Sequence, residues 1–300
     1  MSKGKTAFGS KRSEKKPKID LFKGVSYIYL VIFSLAILIP FYVVLKNSFT
    51  SQHELLGTMK FHWWPQEGLS LEHYKTALFS DELSTYGISI LRSVFNTLWQ
   101  GLPPAMSSLF ISGVIAFCYS KLDFPGKDKF FAFTLAKAMI PGVVLMVPSY
   151  LYFNWLGWNG TVLPIMYGGL FGNSMTIFFL KQFMDGIPTD LVEAAKIDGM
   201  GYMRIYVSIM LPLCKSAFIA QFIFAVIGAW NSYMGQLMYL NGKINLYPLA
   251  LALMLFQTLF QGNTGIIAAC VVISLIPVLA FYVYFQKFFT EGLAMSGVKG

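Results

Sequence analysis

The chain has 300 residues, of which 56% are hydrophobic and only 12% charged, with a formal net charge of +9. A soluble domain carries roughly 25% charged residues, so this chain has too few polar groups to cover a water-facing surface and reads as a polytopic membrane protein. The positive charge does not describe a nucleic-acid surface: eight of the 23 basic residues (Lys3, Lys5, Lys11, Arg12, Lys15, Lys16, Lys18 and Lys23) precede the first apolar run, as in a cytoplasmic tail that sets topology. The apolar run behind that tail is of full span length and is followed by no small-residue cleavage site, so it is not a signal peptide. Cys118, Cys214 and Cys270 lie in or beside apolar segments without metal-ligand spacing and read as small packing residues.

A crossing helix needs about 20 apolar residues. Six segments qualify in chain order: 25–45, 93–119, 130–153 (interrupted by Lys137), 162–180, 217–236 and 265–285. They must be helices, because lipid leaves no partner for backbone polar groups and no alternating barrel strands occur. The expected fold is therefore all-α with six transmembrane helices. Segment 246–261 is too short to cross and suits an interfacial or re-entrant helix.

With the N-terminus inside, the inner segments 1–24, 120–130, 181–215 and 286–300 hold 17 basic residues and the outer ones hold five. This imbalance predicts an N-in, C-in orientation. It divides the chain into a basic tail at 1–24, a first helix with an extracytoplasmic loop at 25–90, a five-helix core at 91–288 and a C-terminal tail at 289–300. The outer loop carries Trp63-Trp64-Pro65 and the acidic Glu67, Glu72, Asp81 and Glu82. Its histidines, His53, His62 and His73, are not at metal-ligand spacing.

One stretch is hydrophilic and lies between two apolar segments, at 185–212. Pro188 suits the first turn of a helix, Asp190 and Glu193 have capping-box spacing, and Gly199 suits a left-handed helix end. Such a short helix is marginal alone; a partner that grips it would stabilise it. Glu193-Ala194-Ala195, then Asp198-Gly199, then Ile209, Leu211 and Pro212, match residue by residue the cytoplasmic loop of binding-protein-dependent ABC importer permeases.

The chain resembles that family, closely over about residues 90–300. Asn96-Thr97, the turn Leu122-Asp123-Phe124-Pro125-Gly126, Met139-Ile140-Pro141 with Pro148, Leu180-Lys181-Gln182-Phe183, Trp230-Asn231 and the ending Gly297-Val298-Lys299-Gly300 extend the likeness to carbohydrate permeases. Lys137, where that family usually has an aliphatic residue, and the long basic tail depart from it. The resemblance implies the type I permease fold, alternating access, a heterodimer with a second permease, an ATPase dimer on the cytoplasmic side, an extracytoplasmic solute-binding protein and a carbohydrate substrate, an oligosaccharide for preference. It implies a multi-pass protein of the bacterial cytoplasmic membrane. ATP and Mg would be bound by the ATPase, with no cofactor in this chain, which has no phosphate-loop motif. It also implies that Glu193, Ala194, Ala195, Asp198, Gly199, Ile209, Leu211 and Pro212 couple to the ATPase.

No catalytic constellation supports an enzyme. An ion-coupled secondary transporter is the alternative, but it usually needs intramembrane carboxylates, and every Asp and Glu falls outside the expected spans. Trp230, Asn231, Tyr233 and Lys137 are candidates for the substrate path. Trp230 fits lining and packing equally, whereas Trp155 and Trp158 read as an interfacial belt. Lys137 lies eight residues beyond Lys129, about 12 Å along a straight helix. At that depth it calls for a partner on the second permease, backbone carbonyls or an anionic substrate group. Gly168 and Gly172 have close-packing spacing.

Overall fold

A computed structural model describes residues 21–57, 61–79 and 87–297, with 21–22 and 288–297 described as backbone only. The basic tail before residue 21, Asp81, Glu82 and residues 298–300 lie outside the described residues. Those described form helices and loops without a strand.

The first helix, α1 (Leu21–Phe49), is apolar around its middle and exposed over residues 27–41, while its end from Tyr42 to Phe49 is largely covered. It packs along the last helix. Between them sits the outer loop, with two short helices, α2 (Gln52–Gly57) and α3 (Glu72–Phe79). Carboxylates organise this loop by accepting hydrogen bonds. Glu54 takes the backbone N–H groups of Gln66 (2.9 Å) and Glu67 (3.2 Å), and Glu72 takes that of Gln52 (2.6 Å). His73 is 2% exposed and bonds the Thr50 carbonyl at 2.9 Å, a structural role.

Helix α4 (Ile90–Lys121) is the central element, 32 residues long with Pro103 and Pro104 inside it. After the Pro125-Gly126 turn comes α5 (Lys127–Ala138), then α6 (Met146–Trp155), α7 (Leu163–Tyr167) and α8 (Ser174–Asp185). The third expected span is thus not one straight helix. α5 and the stretch Gly142–Trp155 meet at 88°. Pro141 explains the break: the residue before a proline is pushed out of the helical region and Pro141 itself is extended (ψ 127°). Lys137 occupies the last turn of α5 at this corner, so a depth counted along a straight span does not apply to it.

The fifth expected span is also redrawn. Its helix, Lys215–Asn231, meets the preceding stretch Tyr202–Leu213 at 84°. It ends at Asn231, because Ser232 is extended, so Tyr233 and Gln236 lie beyond it. Segment 246–261 forms a helix over Leu249–Leu259 that buries one face: Leu249, Leu251, Ala252 and Phe256 are at most 2% exposed. Residues of α4 hold its entrance. Asn96 donates to the carbonyls of Asn245 (2.9 Å) and Tyr247 (3.1 Å), Gln100 to that of Leu246 (2.7 Å), and Thr97 accepts from the N–H of Leu249 (2.8 Å). The last helix is Thr264–Gly297, with Pro277 inside it.

Of the two glycines at close-packing spacing, Gly172 is in a tight contact, where a Cβ would lie 3.1 Å from Ile115 and Ile177, and the other contact is shifted by one residue. Gly168 faces open space, whereas a Cβ on Gly169 would lie 2.4 Å from Pro104. Among the aromatics at the other face, Trp155 is 79% exposed, while Trp158 stacks on Phe153 at 5.8 Å. The two tryptophans expected to act alike have different surroundings.

Candidate functional site

The hydrophilic stretch folds into a compact unit between α8 and the Lys215–Asn231 helix. Helix α9 (Asp190–Ile197) has eight residues, and its N-cap is Thr189. No side chain caps it, so the expected capping box between Asp190 and Glu193 does not form, and Pro188 precedes the helix instead of opening it. Asp190 and Glu193 still complement the positive N-terminal end of the helix dipole from the first turn.

The helix C-terminus is closed by backbone geometry. Gly199 is left-handed (φ +78°). Its N–H donates to the Lys196 carbonyl at 2.9 Å, and the Met200 N–H donates to the Ala195 carbonyl at 3.0 Å. This paired closure is the Schellman motif, which favours glycine at the reversing position. Met200 packs against the same buried cluster as Ala195, completing the apolar contact of the motif.

α9 has two different faces. Val192 (2% exposed) and Ala195 (4%) turn inward with Ile205 and Tyr206, and pack on Ala116 and Phe117 of α4 and on Leu180 and Met184 of α8. Ala195 was expected at a partner surface together with Ala194; it is inside the chain, because i and i+3 share one side of a helix. Leu191, Glu193, Ala194 and Ile197 form the outer face, where Ile197 is 88% exposed. Asp198 is exposed beside it, and Glu193 has no ion-pair partner among the described residues.

Beyond Gly201 the chain re-enters the apolar region through α10 (Tyr202–Ile205), a π-helical stretch Tyr206–Met210 and a single turn Leu211–Leu213. The Leu211 N–H reaches back to the Tyr206 carbonyl, and Pro212 has no N–H to continue an α-helical ladder. Ile209 and Leu211 are half-buried on the cluster, and Pro212 is exposed. The 84° corner comes just after, at Cys214, so the motif Ile209-Met210-Leu211-Pro212 is the end of the arm that leads from α9 into this elbow and the next helix, which we label α11 (Lys215–Asn231).

Three residues absent from the expected set complete the unit. Tyr206 is 1% exposed, lies 5.7 Å from Phe117 and 5.9 Å from Phe110 by ring centroid, and makes a long hydrogen bond to the Phe110 carbonyl. Gly113 makes room for it on α4: a Cβ there would lie 2.3 Å from the Tyr206 hydroxyl and 2.5 Å from the Phe218 ring. Lys121, at the end of α4, donates from Nζ to the Ile187 carbonyl and ties the entrance of the loop down. The apolar spacing of Ile205, Tyr206, Ile209 and Met210 was a signal available for Tyr206. No local pattern marks Gly113.

The substrate-path candidates do not converge. Trp230 and Asn231 line a cleft of about 230 Å³ with Leu98, Ser274 and Phe281. Trp230 also packs against a buried cluster, and Asn231 donates back to the Ile227 carbonyl at 3.0 Å. Tyr233 and Lys137 line neither this cleft nor the larger one beside α8; Lys137 is exposed at the α5 corner. Among the described residues, no group of three or more His, Cys, Asp or Glu side chains is arranged to hold a metal.

The comparisons with known proteins agree with this architecture. Residues 109–293, which include the whole α9 unit, match the family described as "Binding-protein-dependent transport system inner membrane component". The chain is 28% identical over 288 residues to the arabinooligosaccharides transport system permease protein AraQ of Bacillus subtilis, covering 95% of this chain and 98% of that one. It is 29% identical to the polygalacturonan/rhamnogalacturonan transport system permease protein YtcP of the same species, covering 94% of this chain and 100% of that one. A crystal structure of a bacterial ABC transporter involved in the import of the acidic polysaccharide alginate contains a similar chain. The two superpose with a TM-score of 0.76 at 21% identity, covering 92% of this chain and 99% of that one, a likeness of fold. The matched family spans more than half of the sequence, includes both the elbow and the α9 helix, and is a transport component and not an enzyme. The chain is therefore an integral, multi-pass membrane protein that belongs to the inner membrane components of binding-protein-dependent transport systems.

Proposed function

We propose that the chain is one of two permease subunits of an ATP-driven carbohydrate importer, and that residues 185–212 are its docking element for an ATPase subunit. The observation that carries this reading is the division of α9. Its inner face, Val192 and Ala195, is buried in the cluster shared with α4 and α8, while its outer face offers Leu191, Glu193, Ala194 and the 88% exposed Ile197 to water. An exposed apolar side chain beside a small residue and an unpaired carboxylate is suited to burial in a partner's cleft. Ala194 lets the partner approach closely, and Glu193 supplies a charge for a basic group there.

Mechanically, a force on α9 reaches the membrane through the arm Tyr202–Leu213, which turns at Cys214 into α11. The distribution of Lys and Arg supports six crossings with both termini inside, an arrangement that would put this unit on the ATP-containing side. The relatives' names support a carbohydrate, and arabinooligosaccharide and maltodextrin permeases among them support an oligosaccharide. A solute-binding protein would deliver it on the outer side. The ion-coupled alternative finds no support in a family of binding-protein-dependent components.

The test is coupling. Glu193→Lys reverses the docking charge. Gly199→Val forces a β-branched residue into the left-handed region, where even an ordinary residue costs roughly 1–2 kcal/mol; its Cβ would meet nothing within 4 Å, so the expected effect is backbone strain and not a clash at that carbon. Both changes should abolish uptake while the protein still inserts. Normal uptake with either one refutes the docking assignment.

A further inference from the structure

The outer loop folds back onto the end of α1. Residues 24–45 carry no charge and span about 33 Å as a helix, close to a hydrocarbon thickness of about 30 Å. Lys46, the next residue, therefore stands at the level of the lipid headgroups where α1 leaves the bilayer. Two side chains of α1 hold the returning segment there. The Tyr42 hydroxyl donates to the Trp63 carbonyl, and Lys46 Nζ donates to the His62 carbonyl at 3.3 Å. The Lys46 ammonium also lies 5.2 Å from the centroid of the Phe61 ring, and Phe61 meets Trp63 edge to face at 5.1 Å. Although segment 61–65 is pinned in this way, Phe61, Trp63 and Trp64 are each more than half exposed. Such rings cost free energy in open water and are at home at the membrane interface.

Between this segment and α1 lies a cleft of about 190 Å³, lined by Leu45, Phe49, Trp64, Pro65 and Leu69, with Lys46 supplying charge. The Tyr42 hydroxyl on its wall is already given to Trp63, so the lining has little with which to hold a sugar. Leu45 shares a side of α1 with the exposed Phe41 and Leu38, four and seven residues earlier. An apolar stripe thus runs from the bilayer into the cleft. At its upper end, Lys46 has three N–H donors, of which the His62 carbonyl takes one. Among the described residues no carboxylate pairs with it. Glu67 is engaged by Ser51 and His53, and Glu54 by two backbone N–H groups. A trough that is apolar below and cationic at headgroup level has the pattern of a phospholipid, acyl chain below and phosphate above. A headgroup with net negative charge fits better than a zwitterionic one, whose own ammonium competes for the phosphate.

We propose that this cleft binds one anionic phospholipid, with its phosphate on Lys46 Nζ and the upper part of an acyl chain between Leu45, Trp64 and Leu69. The lipid fastens the loop to the bilayer surface beside the end of α1. The site requires only that α1 cross the membrane, and so stands apart from the importer reading.

The experiment uses the full chain, purified with the subunits that accompany it and placed in phosphatidylcholine nanodiscs. Leu69→Cys carries a nitrobenzoxadiazole fluorophore at the rim of the cleft, and the parent chain without that cysteine gives the background. Position 69 is chosen because it belongs to the loop, whereas α1 itself meets lipid in any case. Phosphatidylglycerol or phosphatidylcholine with doxyl groups on the acyl chains is then added in increasing share. Both lipids should quench the fluorophore, and the phosphatidylglycerol should reach half-quenching at about a fivefold lower share, the worth of one basic residue at a membrane surface. Lys46→Met should bring the two lipids together, and Lys46→Arg should keep them apart, with the complex recovered at normal yield in both. No quenching by either lipid means that protein or water covers the cleft and overturns the site. Equal quenching by the two lipids without a change at Lys46, or a preference that survives Lys46→Met, removes the phosphate from Lys46 and overturns it as well. The assay reads no transport, so each of these results leaves the importer reading where it was.

Discussion

Gly113→Ala adds one carbon to the residue that seats the docking unit. The new Cβ would stand 2.3 Å from the Tyr206 hydroxyl and 2.5 and 2.6 Å from two atoms of the Phe218 ring. Unstrained carbon contacts lie near 3.5–4.0 Å, so both rings must retreat by about 1 Å. Tyr206 has little room to do so, being 1% exposed and held against Phe110 and Phe117. Overpacking of this kind costs about 1–3 kcal/mol, and the better helix propensity of alanine returns about 1 kcal/mol. The net loss of stability is thus about 0–2 kcal/mol, and the protein should still insert and assemble. Its function should suffer more, because the displaced Tyr206 belongs to the arm that joins α9 to α11. Uptake in cells should fall at least about tenfold, the effect of 1.4 kcal/mol on the productive geometry, with the complex recovered at near normal yield. Gly228→Ala is the matched control, since a Cβ there meets nothing within 4 Å, and it should transport normally. Adding Tyr206→Phe and Phe218→Leu to Gly113→Ala should restore part of the uptake. Normal uptake by Gly113→Ala alone would refute the claim that a rigid seat under Tyr206 transmits the motion.

Asn96→Ala deprives two carbonyls, of Asn245 and Tyr247, of their donor, and should cost about 2–3 kcal/mol, read as a lower unfolding temperature of the purified complex; an unchanged temperature refutes the clasp. In the outer loop, hydrogen bonds from Ser51 and His53 hold the Glu67 carboxyl below its ordinary pKa. Its contribution is therefore full above the usual carboxylate range and lost as pH falls through the lowered value. Hydrogen exchange of residues 51–57 and 61–70 should accelerate on acidification in the wild type and not in Glu67→Gln; equal responses refute the link. For orientation, a cysteine at position 67 should label from outside intact cells and one at position 190 should not, and the reverse pattern overturns the N-in assignment.

Local composition was enough for much of this protein. Charge-poor apolar runs identify a multi-pass helical chain because the bilayer demands long segments with internally satisfied backbone. The loop 185–212 was legible because its polarity interrupts that rule, and Gly199 was legible because a left-handed helix end favours glycine chemically. What failed in the sequence were straight lines drawn through apolar runs. Hydropathy is blind to direction, so the corners after Ala138 and at Cys214 could be seen only in three dimensions. Ala195 looked like its neighbour Ala194, and only the packing of α9 on α4 and α8 sends one inward and the other outward. Gly113 and Tyr206 are 93 positions apart, and Asn96 meets Asn245 across 149. Contacts between such distant residues leave no periodic trace in either segment, and the tertiary structure alone decides which groups meet.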